Sequence, residues 1–119
     1  MRLQQRWKPQ FRGSSMKSET YSVIVSKKAK EMLVSHAAFL AKVSPNAAKN
    51  RVKDFKETAS SLKTLPNRCP WLSGENIPKH QYRYIAFGKR YMLVYQIVDM
   101  NVYVDYVIDC RQDYQWLFN

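Results

Sequence analysis

The spacing of hydrophobic residues along this chain changes twice. From Glu19 to Ser26 it alternates, with Tyr21, Val23 and Val25 on one side and Ser22 and Ile24 on the other. Period two with β-branched residues predicts a strand. Ser26 then stands where a helix cap belongs, and Ala29, Met32, Leu33, Ala37, Leu40 and Val43 follow at the three-and-four spacing of one buried stripe. A helix is therefore expected over Lys27 to Val43. Ser44-Pro45 starts a second one, a serine cap with proline in the first turn. Ala48, Val52, Phe55, Ala59 and Leu62 mark its buried side up to Leu65, and Pro66 ends it.

Asn67 to Lys79 has no period and several turn formers, so it reads as a loop, with Trp71 and Leu72 folding back onto the core. Alternation then returns over His80 to Phe87, Tyr91 to Val98 and Val102 to Asp109. The connections Gly88-Lys89-Arg90 and Asp99-Met100-Asn101 are short enough for hairpins. One or two helical turns are expected over Arg111 to Phe118. The order is β–α–α–β–β–β, which predicts an α+β fold: two layers, an antiparallel sheet packed on an N-terminal αα-hairpin.

Composition adds a boundary and a sign. Residues 1–15 carry Arg2, Arg6, Lys8 and Arg12 without an acid, and Gly13-Ser14-Ser15 precedes a second methionine, Met16. They read as a basic leader ahead of a single domain over residues 16–119, with no apolar stretch of a secretory signal. The chain holds 20 Lys+Arg against 9 Asp+Glu, a net charge of +11; removing the leader's four basic residues leaves +7. Such a balance favours a polyanionic or acidic partner. No apolar run long enough for a membrane span is present. Cys69 and Cys110 lack metal-ligand spacing and read as free thiols.

Phosphate-loop, dinucleotide, nucleophile-elbow and zinc-protease motifs are all absent, and three glycines could hardly build a phosphate cradle. No metal or cofactor is expected. Asp105 and Asp109 fall on one face by simple alternation, about 13 Å apart, too far to share an ion. They read as solvent-facing or ion-paired. His36 sits on the first helix's apolar stripe as a core or boundary residue. His80, at a strand entry, reads either as a loop-edge residue or as a proton-transfer group. The basic set is Arg83, Lys89, Arg90 and Arg111, with Lys79 beside it and Tyr82, Tyr84, Tyr91, Tyr114 and Trp116 interleaved. Arg83 and Arg111 are expected to converge at one end of the sheet. Arginine forks hold phosphates and stabilise the charge of metal-free phosphodiester cleavage, and aromatic faces stack unpaired bases.

The run Tyr91-Met92-Leu93-Val94-Tyr95-Gln96-Ile97-Val98-Asp99, then Val102-Tyr103-Val104 and Val107-Ile108-Asp109-Cys110-Arg111, resembles the sheet core of the RelE/ParE family of bacterial type II toxins, over about Tyr21 to Leu117. The resemblance implies a cytoplasmic growth-inhibiting toxin held by a cognate acidic antitoxin. One branch, similar to RelE, is a ribosome-dependent endoribonuclease that cleaves mRNA; another, similar to ParE, poisons DNA gyrase. The expectation carried forward is mRNA cleavage, with catalytic Arg83, Arg111, Tyr114 and His80, and with Lys79, Lys89, Arg90 and Tyr91 binding nucleic acid. The alternatives are gyrase inhibition or a degenerate antitoxin-binding member. Two departures bear on this choice. Met92 stands where the RelE-like pattern carries an arginine, and Ile85 where it carries a second lysine.

Overall fold

The computed structural model describes residues 20–112 and 114–118; the basic leader lies outside them. Strand β1 (Ser22–Val25) leads into α1 (Lys27–Ala41) and α2 (Pro45–Ser61), followed by a 3₁₀ turn (Pro66–Arg68). The strands β2 (Arg83–Phe87), β3 (Tyr91–Val98) and β4 (Asn101–Asp109) come next, and a last 3₁₀ turn covers Gln115–Phe118. Both predicted caps form. The Ser26 hydroxyl accepts from the Ala29 N–H at 3.0 Å, and the Ser44 hydroxyl from the Ala47 N–H at 3.2 Å.

The sheet order is β1-β4-β3-β2. β2, β3 and β4 form the expected antiparallel meander, but β1 joins β4 in parallel, so the sheet is mixed. The αα-hairpin supplies the crossover that parallel pairing needs. One face of the sheet packs Phe87, Tyr91, Leu93, Tyr95, Val102, Val104 and Val107 against Ala29, Phe55, Ala59 and Leu62. The opposite face is covered as well: Met92, Val94 and Ile108 lie under Leu72 and Ile77 of the loop, with Tyr114, Leu117 and Phe118 packed beside them. Tyr91 to Tyr95 are consequently all buried, as in a central strand covered on both sides.

Both helices stop earlier than their periodicity suggests. Val43 falls two residues beyond α1 and is 85% exposed, so it leaves the stripe. α2 ends at Ser61, and Leu65 takes a left-handed φ of 49° ahead of Pro66. Helix ends leave carbonyls without partners. Here the Arg68 guanidinium donates to the carbonyls of Thr64 at 2.7 Å, Leu65 at 3.0 Å and Ser61 at 3.4 Å. That role had no sequence signal, because it needs the chain to reverse at Leu65.

A bulge corrects one further expectation. Val94 pairs with Tyr106 and Tyr95 with Val104, leaving Asp105 as an extra residue in β4. The bulge shifts the phase of alternation. Asp105 receives the Gln96 side-chain amide at 2.7 Å, on the face of Met92 and Val94, whereas Asp109 lies opposite Tyr91 on the helix side. The two carboxylates therefore occupy opposite faces.

Candidate functional site

The sheet sends its cations to two corners. The pairings place Arg83 beside Tyr95, and Asp109 beside Tyr91 and hence Phe87. Four residues of strand, about 13 Å, separate those rows. Arg111 lies beyond Asp109, so Arg83 and Arg111 do not converge. In a three-strand meander the start of the first strand neighbours the start of the third, not its end.

The first corner is built on Asp109, which is 6% exposed. Arg111 donates to its carboxylate through the backbone N–H at 3.0 Å, Nε at 3.3 Å and Nη2 at 3.1 Å. Arg90 Nε stands 3.9 Å from the same carboxylate, buried and without a hydrogen-bond partner among the described residues. Burial pushes the Asp109 pKa up, but the hydrogen bonds from Arg111 and the charges of Arg111 and Arg90 outweigh it and hold the group below its ordinary value. In return, the bond to Asp109 raises the Arg111 pKa. Two guanidiniums on one carboxylate leave a net positive site. Lys89 is exposed in the neighbouring turn and lines a cleft of about 400 Å³ with Arg51, Asp54, Glu57 and Gly88. Gly88 has φ +60°, and a Cβ there would run into the Arg51 guanidinium. Tyr91 points inward, 5% exposed, its ring stacked on Phe87 at 5.7 Å and 5.3 Å from His36.

The second corner is built on Trp71. Leu72 N–H donates to the Tyr82 carbonyl at 2.7 Å and Tyr84 N–H to the Pro70 carbonyl at 3.2 Å, which sets Trp71 opposite Arg83 on the outer edge of β2. The Arg83 guanidinium lies 3.7 Å over the Trp71 ring and donates to the Cys69 carbonyl. His80, at φ +56°, tilts against the same indole with ring centres 5.3 Å apart. Lys79 is exposed beside it. Tyr114 belongs to neither corner; it is half-buried in the apolar cluster of the second sheet face. Reasoning from sequence missed Trp71 as the centre of this corner, because a tryptophan in a loop reads as core.

Residues 23–114 match the family described as ParE toxin of type II toxin-antitoxin system, parDE. The chain belongs to the ParE toxin family. As a ParE-family toxin it implies a cognate antitoxin as partner. Its fold is also that of a solved chain from the chromosomal ParDE TA system from P. aeruginosa, with a TM-score of 0.61 at 15% identity, covering 77% of this chain and 98% of that one. No curated protein sequence matches it. Among the described residues no helix is long and apolar enough to cross a membrane.

Proposed function

We propose that this ParE-family chain is a cytoplasmic growth-inhibiting toxin that acts by binding DNA gyrase, and that an acidic antitoxin neutralises it. The observation that carries this reading is the position of Met92. It is 4% exposed beneath Leu72 and Ile77, so the residue that takes the place of the RelE-like arginine can meet no phosphate. The remaining cations support the same reading. Arg83 stands at the Trp71 corner and Arg111 at Asp109, a strand length apart, whereas phosphodiester cleavage needs its donors gathered on one phosphate.

The mRNA-cleavage reading draws on the RelE-like sheet core and on the net charge of +7 that remains without the basic leader. It assigns Arg83 and Arg111 to the scissile phosphate and Tyr114 or His80 to proton transfer. One pair of measurements separates the two readings. On induction without the antitoxin, growth arrest is expected with intact mRNA in primer extension, and the purified toxin is expected to inhibit gyrase supercoiling. Discrete translation-dependent cuts in mRNA, with gyrase unaffected, would reverse the conclusion. Absence of growth arrest would leave only the degenerate antitoxin-binding member.

A further inference from the structure

We propose that the Trp71–Arg83–His80 corner is the surface with which the toxin grips its target protein, at a carboxylate flanked by apolar side chains. The inference rests on the target-binding reading above.

Its first support is preorganisation. A free arginine loses much rotamer freedom on binding, and that loss weakens the contact. Arg83 has already lost it. Its guanidinium is fixed by the Cys69 carbonyl and the Trp71 ring, and the ring is fixed by the backbone pairing of Pro70–Leu72 with the start of β2. Only one of its donors has a hydrogen-bond partner among the described residues. The others form the planar fork that matches a carboxylate.

The second support is exposure. Trp71 keeps 40% of its surface in water while its chain neighbour Leu72 is buried. An exposed tryptophan beside a fixed arginine is the composition of a protein–protein hot spot. Arg68 immediately precedes Cys69, whose carbonyl holds Arg83, and Lys79 is exposed next to His80, so further positive charge flanks this corner. An acidic partner surface is the complement.

The geometry also chooses between partners. A nucleobase needs an open aromatic face, and here the guanidinium lies over the indole with His80 tilted against it. An antitoxin that wraps a toxin needs a track, which the edge strand β1 and the lysine-bearing helices offer. The corner offers a single fixed point, suited to the preformed surface of a folded target.

The test measures Trp71→Ala, Arg83→Gln and Lys79→Glu for growth arrest, for affinity toward purified gyrase, and for complex formation with the antitoxin on co-expression. Trp71→Ala and Arg83→Gln are expected to weaken gyrase binding at least about tenfold and relieve growth arrest, with the antitoxin complex intact. Lys79→Glu touches no packed contact and is expected to weaken gyrase binding by a factor of a few, so the proposal is tested even where Trp71→Ala fails to fold. Parental gyrase affinity in Arg83→Gln and Lys79→Glu would overturn the proposal. Loss of antitoxin binding in Lys79→Glu would overturn it too, and assign the corner to the antitoxin. Cross-linking of Trp71 to RNA would do the same in favour of nucleic acid. Translation-dependent mRNA cuts by the parent toxin would instead fail the underlying reading, and that measurement involves no variant.

Discussion

Asp109 shows how little a residue's chemistry follows from its type. In the sequence it is one acid at the end of an alternating strand. In the fold it is 6% exposed, and its carboxylate orders Arg111 while standing 3.9 Å from Arg90. Its folded pKa lies below the unfolded value, so its stabilising contribution is complete above about pH 4 and is lost as pH falls through the folded value. Asp109→Ala is expected to cost about 1–3 kcal/mol at pH 7, the lower part of that range reflecting the exposure of Arg111. Thermal melts against pH check this: the gap between parent and variant closes well below pH 4. A gap that stays constant with pH would mean that packing, not charge, is what Asp109 supplies.

At the scale of elements, the short β1 and the bulge in β4 act together. β1 covers β4 only from Asn101 to Val104. Beyond that point the outer carbonyls of β4 need other donors. The Ser26 hydroxyl reaches the Asp105 carbonyl at 3.3 Å, and His36 Nε2 donates to the Val107 carbonyl at 3.0 Å. The structural role expected for His36 is thus realised as a cap on a sheet edge. The bulged Asp105 is half-buried, and desolvation raises its pKa, partly offset by the Gln96 amide. Since the folded pKa is the higher one, the charged form weakens the fold at neutral pH, and the penalty disappears as pH falls below about 4. Asp105→Asn, which keeps an acceptor for Gln96, is expected to raise Tm at pH 7 by a few degrees and to match the parent near pH 3. A lower Tm at pH 7 would show that the ionised carboxylate stabilises the bulge.

At the scale of the molecule, charge and apolar cover divide the surface. The second sheet face, where an arginine at position 92 would do chemistry, is closed by Leu72, Ile77 and the C-terminal turn. Met92→Arg is therefore expected to cost about 3 kcal/mol or more in stability, by burying an unpaired charge, and to produce no mRNA cleavage. A folded Met92→Arg protein that cut mRNA would show that the loop and tail open readily, and that the closed face is not the barrier to nuclease chemistry. The arginines of the sheet stand in two separate corners, which suits contact with extended macromolecular surfaces better than attack on one bond.

Period two and period three-to-four, the serine caps at Ser26 and Ser44, and the tyrosine and valine positions of β3 and β4 are local properties, and they determined the element order, the α+β class and the family. Contacts across the fold decided the rest. Parallel docking of β1 depends on the return path through the helices. The bulge at Asp105 depends on pairing between strands, and it places the two acids on opposite faces. Arg83 and Arg111 are apart because strand direction reverses at each hairpin. The site is the less legible part because its charges acquire their roles from partners distant in sequence: Arg83 from Trp71, Arg90 from Asp109, and position 92 from the loop that buries it.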